Sequence, residues 1–283
     1  MKDKIFILLQ HLLPQHLLSR LVGKLADCRI NWVKSTFISW FAKRYNVNMS
    51  EAVQESLNAY PDFNSFFTRE IKLDRRPLAD SDIISPADGA ISQLGPIDHG
   101  RIFQAKGRGY ALTTLLGGYN DLAEQFIDGQ FATVYLSPKD YHRVHMPVTG
   151  TLRDTIYVPG DLYSVNQTTA EGVENLFARN ERLVAIFDTE YGPMAMVLVG
   201  AMIVAGIETV WAGQVAPQQR KTWRIEHSPE PQEPVVLEKG AEMGRFKLGS
   251  TVILLFGKDV IEWQENLQAG SPVNMGHAFG NRV

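Results

Sequence analysis

The stretch RFKLGSTVILLF, residues 245–256, ends in a continuous apolar run behind a Gly-Ser pair. A short apolar run bounded by turn residues predicts a strand buried on both faces. FATVYL (131–136), RLVAIF (182–187) and MAMVLV (194–199) carry the same texture. Pro86, Asp88-Gly89, Gly117-Gly118 and Pro159-Gly160 punctuate the chain between short apolar runs. The sequence beyond Tyr60 is therefore expected to form one β-rich domain with minor helices. Met194 to Ile207 is apolar throughout, but its fourteen residues fall short of the roughly 20 that cross a bilayer as a helix. It is expected to form one or two buried strands.

The first 45 residues differ. Leu13, Leu17, Leu21 and Leu25 recur every fourth position, as one face of a helix requires, and Pro14 suits the first turn of a second helix. Trp32, Phe37, Trp40 and Phe41 follow, interleaved with Arg29, Lys34, Lys43 and Arg44. Through residue 44 there are eight Lys/Arg and two Asp, on a chain whose net charge is −3. Such stripes fit a helix lying in a membrane interface, where each basic side chain near an anionic leaflet adds roughly 1 kcal/mol. They equally fit a helical hairpin packed on its own domain, and the pattern leaves both readings open. A further short helix is expected from Ser50 to Tyr60, with Ser50 as its cap. The expected fold class is α+β: N-terminal amphipathic helices (residues 1–60) followed by a β-rich domain (61–283).

The bulk composition sets limits. At 283 residues the chain can bury a sizeable core. A net charge of −3 gives no field that draws it to nucleic acid. The single cysteine, Cys28, excludes an internal disulfide or a Cys-based zinc cluster and suits a reducing compartment. No small-residue cleavage site follows an apolar core near the start, which argues against a secretory leader.

Three segments carry candidate chemistry. Gly249 lacks a side chain, so the Ser250 hydroxyl could approach its carbonyl and attack the peptide bond before it, although Gly-Ser is also an ordinary turn. SPKDYHRVHMPV (137–148) holds His142 and His145, each able to serve as a general base when neutral. On a regular strand the two rings would face opposite ways, whereas a turn at Pro138 or Pro147 would bring both to one cavity. SPADGAI (85–91) supplies Asp88, either a hairpin turn or the carboxylate that orients a histidine. Asp88, His145 and Ser250 make a candidate triad. KGRGY (106–110) lacks the ending of a phosphate loop and reads as a turn, and His277 has no assigned role.

Taken jointly, FNSFFTRE, SPADG, YLSPKDYHRVHMPV, NLFARNERL, VGAMIVAGI and RFKLGSTVILLF resemble the phosphatidylserine decarboxylase family, in family order from about residue 61 to 256. The pairing of LGST with DYHRVHMP is the specific part. The resemblance implies that His145, oriented by Asp88, takes the Ser250 proton and that the hydroxyl oxygen attacks the Gly249 carbonyl. Elimination from the resulting ester would release Gly249 as a new carboxy terminus. Ser250 would become a covalent pyruvoyl group, the only cofactor, with no metal. A large subunit (1–249) and a small one (250–283) would stay together as a heterodimer, with higher oligomers left open. The resemblance further implies a Schiff base with phosphatidylserine, loss of CO2, protonation at the α carbon involving His142, and release of phosphatidylethanolamine. The expected location is peripheral, at an anionic membrane surface on the cytoplasmic face of the cell membrane. The competing readings are a serine hydrolase using Asp88, His145 and Ser250 on a lipid ester, a lipid-binding module, and a pyruvoyl decarboxylase of a soluble amino acid.

Overall fold

In the computed structural model, which describes residues 2–202, 206–217, 221–227, 233–247 and 250–283, the chain begins with helices α1 (Lys2–Leu12), α2 (Gln15–Ala26) and α3 (Asn31–Tyr45). Pro14 stands at the entrance of α2, where its missing N–H costs nothing, and α1 and α2 meet at 87°. The next helix, α4 (Phe63–Phe67), is capped by Asp62, which accepts from the Ser65 N–H at 2.8 Å. Ile38, Phe41 and Ala42 of α3 pack on Phe63, Phe66 and Phe67 of α4. The helical segment is thereby joined to the rest of the chain through aromatic contacts, Phe41 meeting Phe63 edge-on at 4.9 Å.

The helix expected from Ser50 to Tyr60 does not form. Two 3-10 turns, Met49–Glu51 and Leu57–Ala59, stand there instead, and Asn48 caps the first. The Val53 N–H donates to the Glu70 carbonyl and the Lys72 N–H to the Glu51 carbonyl, so pairing with residues 70–72 outcompetes local helix propensity.

The core strands are β1 (Gly89–Pro96), β2 (Gln130–Leu136), β3 (Arg143–His145), β4 (Gly150–Val158), β5 (Arg182–Thr189), β6 (Gly192–Val199), β7 (Gly206–Thr209), β8 (Gly213–Ala216), β9 (Glu242–Lys247) and β10 (Ser250–Phe256). All four strands expected from the sequence are present. The larger sheet is antiparallel, in the order Trp223–Glu226, β4, β5, β6, β10, β2, β1, Pro272–Val273, with Val236–Leu237 also pairing with β4. The smaller sheet runs β8, β7, β9, β3. Leu136, Val144, Leu198, Met243, Phe246, Val252 and Leu254 belong to one core that draws on strands of both sheets. The opposite face of the larger sheet packs on short helices, and Ile253 and Leu255 point there. Burial of β10 on both faces explains why its sequence is a run rather than an alternation. Each of Val252 to Phe256 is fully buried, which contributes roughly 1.5–3 kcal/mol per side chain. Buried Arg182 ties the short helices to this sheet by donating to the carbonyls of Thr114, Leu115, Ala178 and Asn180.

The path from β9 to β10 matters most for the site. Lys247 ends a strand of the smaller sheet and Ser250 begins a strand of the larger one. The two residues between them, Leu248 and Gly249, lie outside the described residues. The expected role of Gly249 as cleavage partner therefore falls outside them too.

Candidate active site

Ser250 is the first residue of β10 and stands opposite Leu136 of β2. Its side chain is fully buried, and Oγ has no hydrogen-bond partner among the described residues; the same holds for Oγ1 of Thr251. A buried hydroxyl left unpaired costs about 1–3 kcal/mol, an exception that calls for a reason.

Directly after Leu136, the Ser137 carbonyl accepts from Nε2 of His142 at 3.1 Å. Because that partner only accepts, the proton of the neutral ring sits on Nε2 and Nδ1 is bare; Nδ1 is also buried without a partner. The ring stacks on Phe67 at 4.0 Å between centroids. Burial, helped by the positive charge of Arg69, pushes the His142 pKa down to about 3. His142 is thus neutral at physiological pH. The unfolded chain takes up this proton near 6.5, whereas the folded chain resists until about 3. Its contribution to stability is complete above pH 6.5 and is lost as pH falls toward 3. Denaturant midpoints across this range should show that acid loss, and His142→Gln should flatten it.

His145 lies on β3, opposite Glu242 of β9. Its Nδ1–H donates to the Gly240 carbonyl at 2.8 Å, so Nε2 is bare and accepts from the Tyr141 hydroxyl at 3.0 Å. Burial is the main cause of its lowered pKa, partly opposed by the Gly240 bond and by the charges of Glu242 and Asp88. The ring is a neutral base with its lone pair on Nε2.

Asp88 is buried and forms no hairpin turn. The next residue, Gly89, opens β1 at φ +157°, and a Cβ there would lie 2.2 Å from the Tyr135 carbonyl oxygen, so glycine alone fits. The His145 N–H donates to the Pro86 carbonyl at 2.8 Å, which holds the SPADG segment against β3. The carboxylate of Asp88 is gripped by Arg76, with Nε at 2.9 Å from Oδ1 and Nη2 at 2.5 Å from Oδ2, and it also accepts from the Met275 N–H. Arg76 bridges onward to Glu51 at 2.8 Å.

The expected direct link from Asp88 to His145 is therefore not made in this structure. A two-pronged guanidinium holds the carboxylate more strongly than one imidazole N–H would, and Gly240 orients the ring instead. Nor does a hydrogen bond join His145 to Ser250. His142 precedes β3 rather than lying on it, which removes the constraint that would send the two rings to opposite faces. His277 is exposed and its Nδ1 accepts from the Asn274 N–H, away from this chemistry. Arg76, Tyr141, Gly240, Phe67 and Arg69 were not singled out by sequence reasoning. Tyr141, Phe67 and Arg69 stand inside quoted motifs, whereas Gly240 is 95 positions from its histidine and no spacing points to it.

A sequence profile of the family described as phosphatidylserine decarboxylase matches residues 63–281, and a second profile, described as PSD, matches residues 5–46. Phosphatidylserine decarboxylase proenzymes of Pseudomonas fluorescens and Pseudomonas putida are 61% and 62% identical to the chain over 282 and 285 residues. These matches cover 99% and 100% of the chain and 98% and 99% of the relatives. The proenzyme of Pseudomonas entomophila is 63% identical over 278 residues, covering 98% of the chain and 97% of the relative.

Proposed function

The chain belongs to the phosphatidylserine decarboxylase family, and from that premise we propose that it cuts itself between Gly249 and Ser250 and works through a pyruvoyl group made from Ser250. It is a decarboxylase made as a proenzyme, and phosphatidylserine is its substrate. The observation that carries the finer reading is the Ser250 hydroxyl, buried at the start of a central strand and bonded to nothing among the described residues. A hydroxyl with no competing partner is free to attack, and a residue there becomes a new amino terminus once the bond before it is cut.

The chain's own groups supply the proton steps. His145 is neutral and its bare Nε2 can accept the Ser250 proton by exchanging the Tyr141 hydroxyl for it. The imidazolium that forms is stabilised by the nearby charges of Asp88 and Glu242, with Asp88 acting through its field rather than through a bond. The Ser250 oxygen then adds to the Gly249 carbonyl, the acyl group moves from nitrogen to oxygen, and elimination frees the Gly249 carboxylate. The dehydroalanine left behind loses ammonia by hydrolysis to give the ketone. That group supplies an electrophilic carbonyl that binds the substrate amine and takes up the electron pair released with CO2. The unpaired Nδ1 of His142 suits a site made to receive a reacting group. An anionic substrate raises the proton affinity of His142, so that Nδ1 can carry the proton destined for the α carbon.

Peripheral binding to an anionic membrane, at the cytoplasmic face of the cell membrane, belongs to the same proposal. Some uncharged polar side chains of α1 and α2 bond to the domain: Gln10 and Gln15 accept from the Ser164 and Leu162 N–H groups, and His11 pairs with the Tyr163 hydroxyl. Leu8, Leu9, Leu12, Leu17 and Leu21 are each at least half exposed, as are Trp32 and Trp40. That arrangement inverts the usual packing of an amphipathic helix on its own domain and supports the membrane reading. No single helix among the described residues is long and apolar enough to cross a bilayer. Leu17→Glu with Leu21→Glu should weaken sedimentation with anionic vesicles by at least about tenfold, since each leucine transferred contributes roughly 1.5–3 kcal/mol. Self-cutting should be unchanged.

Intact mass measurement of active enzyme tests the central claim. Two pieces are expected, 1–249 and 250–283, the smaller lighter than a serine-initiated peptide by one ammonia. A single full-length active species would return the reading to a serine hydrolase.

A further inference from the structure

We propose that Arg69 anchors the phosphodiester of the lipid headgroup, in a cleft linked to His142 through the neighbouring residues Phe66 and Phe67. The inference rests on the reading above for the class of substrate and adds the residue that grips it. Among the described residues Arg69 and Arg182 are the two buried arginines, and neither has a carboxylate within 4.0 Å. Arg182 spends its N–H groups on four carbonyls. Arg69 does not: Nη2 reaches the Lys139 and Asp140 carbonyls at 3.2 and 3.5 Å, and Nε is buried with no partner. A desolvated guanidinium without a counter-charge is costly, and burial duly lowers its proton affinity. An anion entering from outside would offset that cost.

The structure gives such an anion a way in. Arg69 lines a cleft of about 290 Å3, together with Tyr60, Thr68, Arg143, Arg245 and the exposed Glu70, which forms no ion pair with it among the described residues. Arg143 and Arg245 already pair with Glu242, at 3.0 and 2.8 Å, so the uncommitted charge belongs to Arg69. Its guanidinium sits over the Phe66 ring at 5.7 Å, and the adjacent Phe67 stacks on His142. In a phosphoserine headgroup, one oxygen and one methylene separate the phosphorus from the α carbon. A phosphate at Arg69 would therefore tether the reacting carbon three bonds from the phosphorus, and the Arg69 charge is close enough to bear on the His142 ring.

The substrate carries two anions, and their fates differ. The carboxylate loses its charge as CO2 departs, so a guanidinium holding it would stabilise the ground state and slow the reaction. The phosphate keeps its charge throughout. Gripping it positions the substrate without penalising the transition state.

The test uses the full-length processed enzyme in mixed micelles. The probes are dihexanoylphosphatidylglycerol (a phosphodiester monoanion without amine or carboxylate), its neutral methyl phosphotriester, and inorganic phosphate. In the natural enzyme the diester should compete with phosphatidylserine about 10- to 100-fold better than the triester. Arg69→Met should erase that preference and raise KM for phosphatidylserine by a similar factor, with kcat changed less than about threefold. Arg69→Lys should fall between, and it carries the test alone if the methionine variant fails a thermal-melting check. Unchanged KM, or a retained diester preference, would overturn the assignment. Inorganic phosphate competing as well as the diester would overturn it in favour of a free-phosphate site. Diester binding read by calorimetry needs no decarboxylation, so failure of the pyruvoyl reading would leave this result interpretable.

Discussion

Ser250→Ala should run as one uncut chain on a denaturing gel and show no decarboxylation above background, a loss of at least about 10^4-fold. The size of the effect follows from what the residue is asked to supply. In the proposed mechanism it is both the nucleophile that breaks the backbone and the atom source of the working ketone, so no partial function survives its removal. Stability should move the other way. The Ser250 Oγ forms no hydrogen bond among the described residues, so deleting it removes an unpaired buried polar group. The variant should be as stable as the natural uncut chain or more so, by about 1 kcal/mol. Gel mobility, activity and denaturant midpoint together separate a chemical defect from a folding defect. A cut, active alanine variant would end the proposal.

His145→Ala should also leave the chain uncut, with self-cutting slowed by about 10^2- to 10^4-fold, the usual range for loss of a general base. The pH dependence carries the sign. Burial lowers the His145 pKa, so the ring remains neutral to below the ordinary value of 6.5 and cutting should fail only on the acid side. His142→Ala provides the contrast. The proposal reserves its Nδ1 for the later step, so this variant should be cut and yet decarboxylate poorly. A gel beside an activity assay distinguishes the two histidines. Normal turnover in His142→Ala would remove that residue from the mechanism.

The strands were legible because burial on both faces leaves no freedom of composition: Val252 to Phe256 could hardly belong anywhere but a core. The break at Pro14 was legible because proline chemistry is local. The segment 50–60 was not, since its conformation is set by pairing with residues 70–72 rather than by its own propensities. The site divides in the same way. Asp88, His142, His145 and Ser250 stood out as residue types in recognisable segments. Their partners did not, because Arg76 competes for Asp88 and Gly240 orients His145 from distant parts of the chain. Spacing reveals which groups are present, and only the folded chain reveals which of them touch.

The position of β10 between β6 and β2 also fixes an order of events in time. Residues 250–283 provide the middle plank of a sheet whose flanking planks come from earlier in the chain. Loose in water, so apolar a peptide would aggregate before it could be threaded back. The proposed cut would therefore have to come last, after assembly is complete, and an enzyme so cut would hold no recipe for rebuilding itself. Once denatured, it should be lost for good, whereas its precursor should renature.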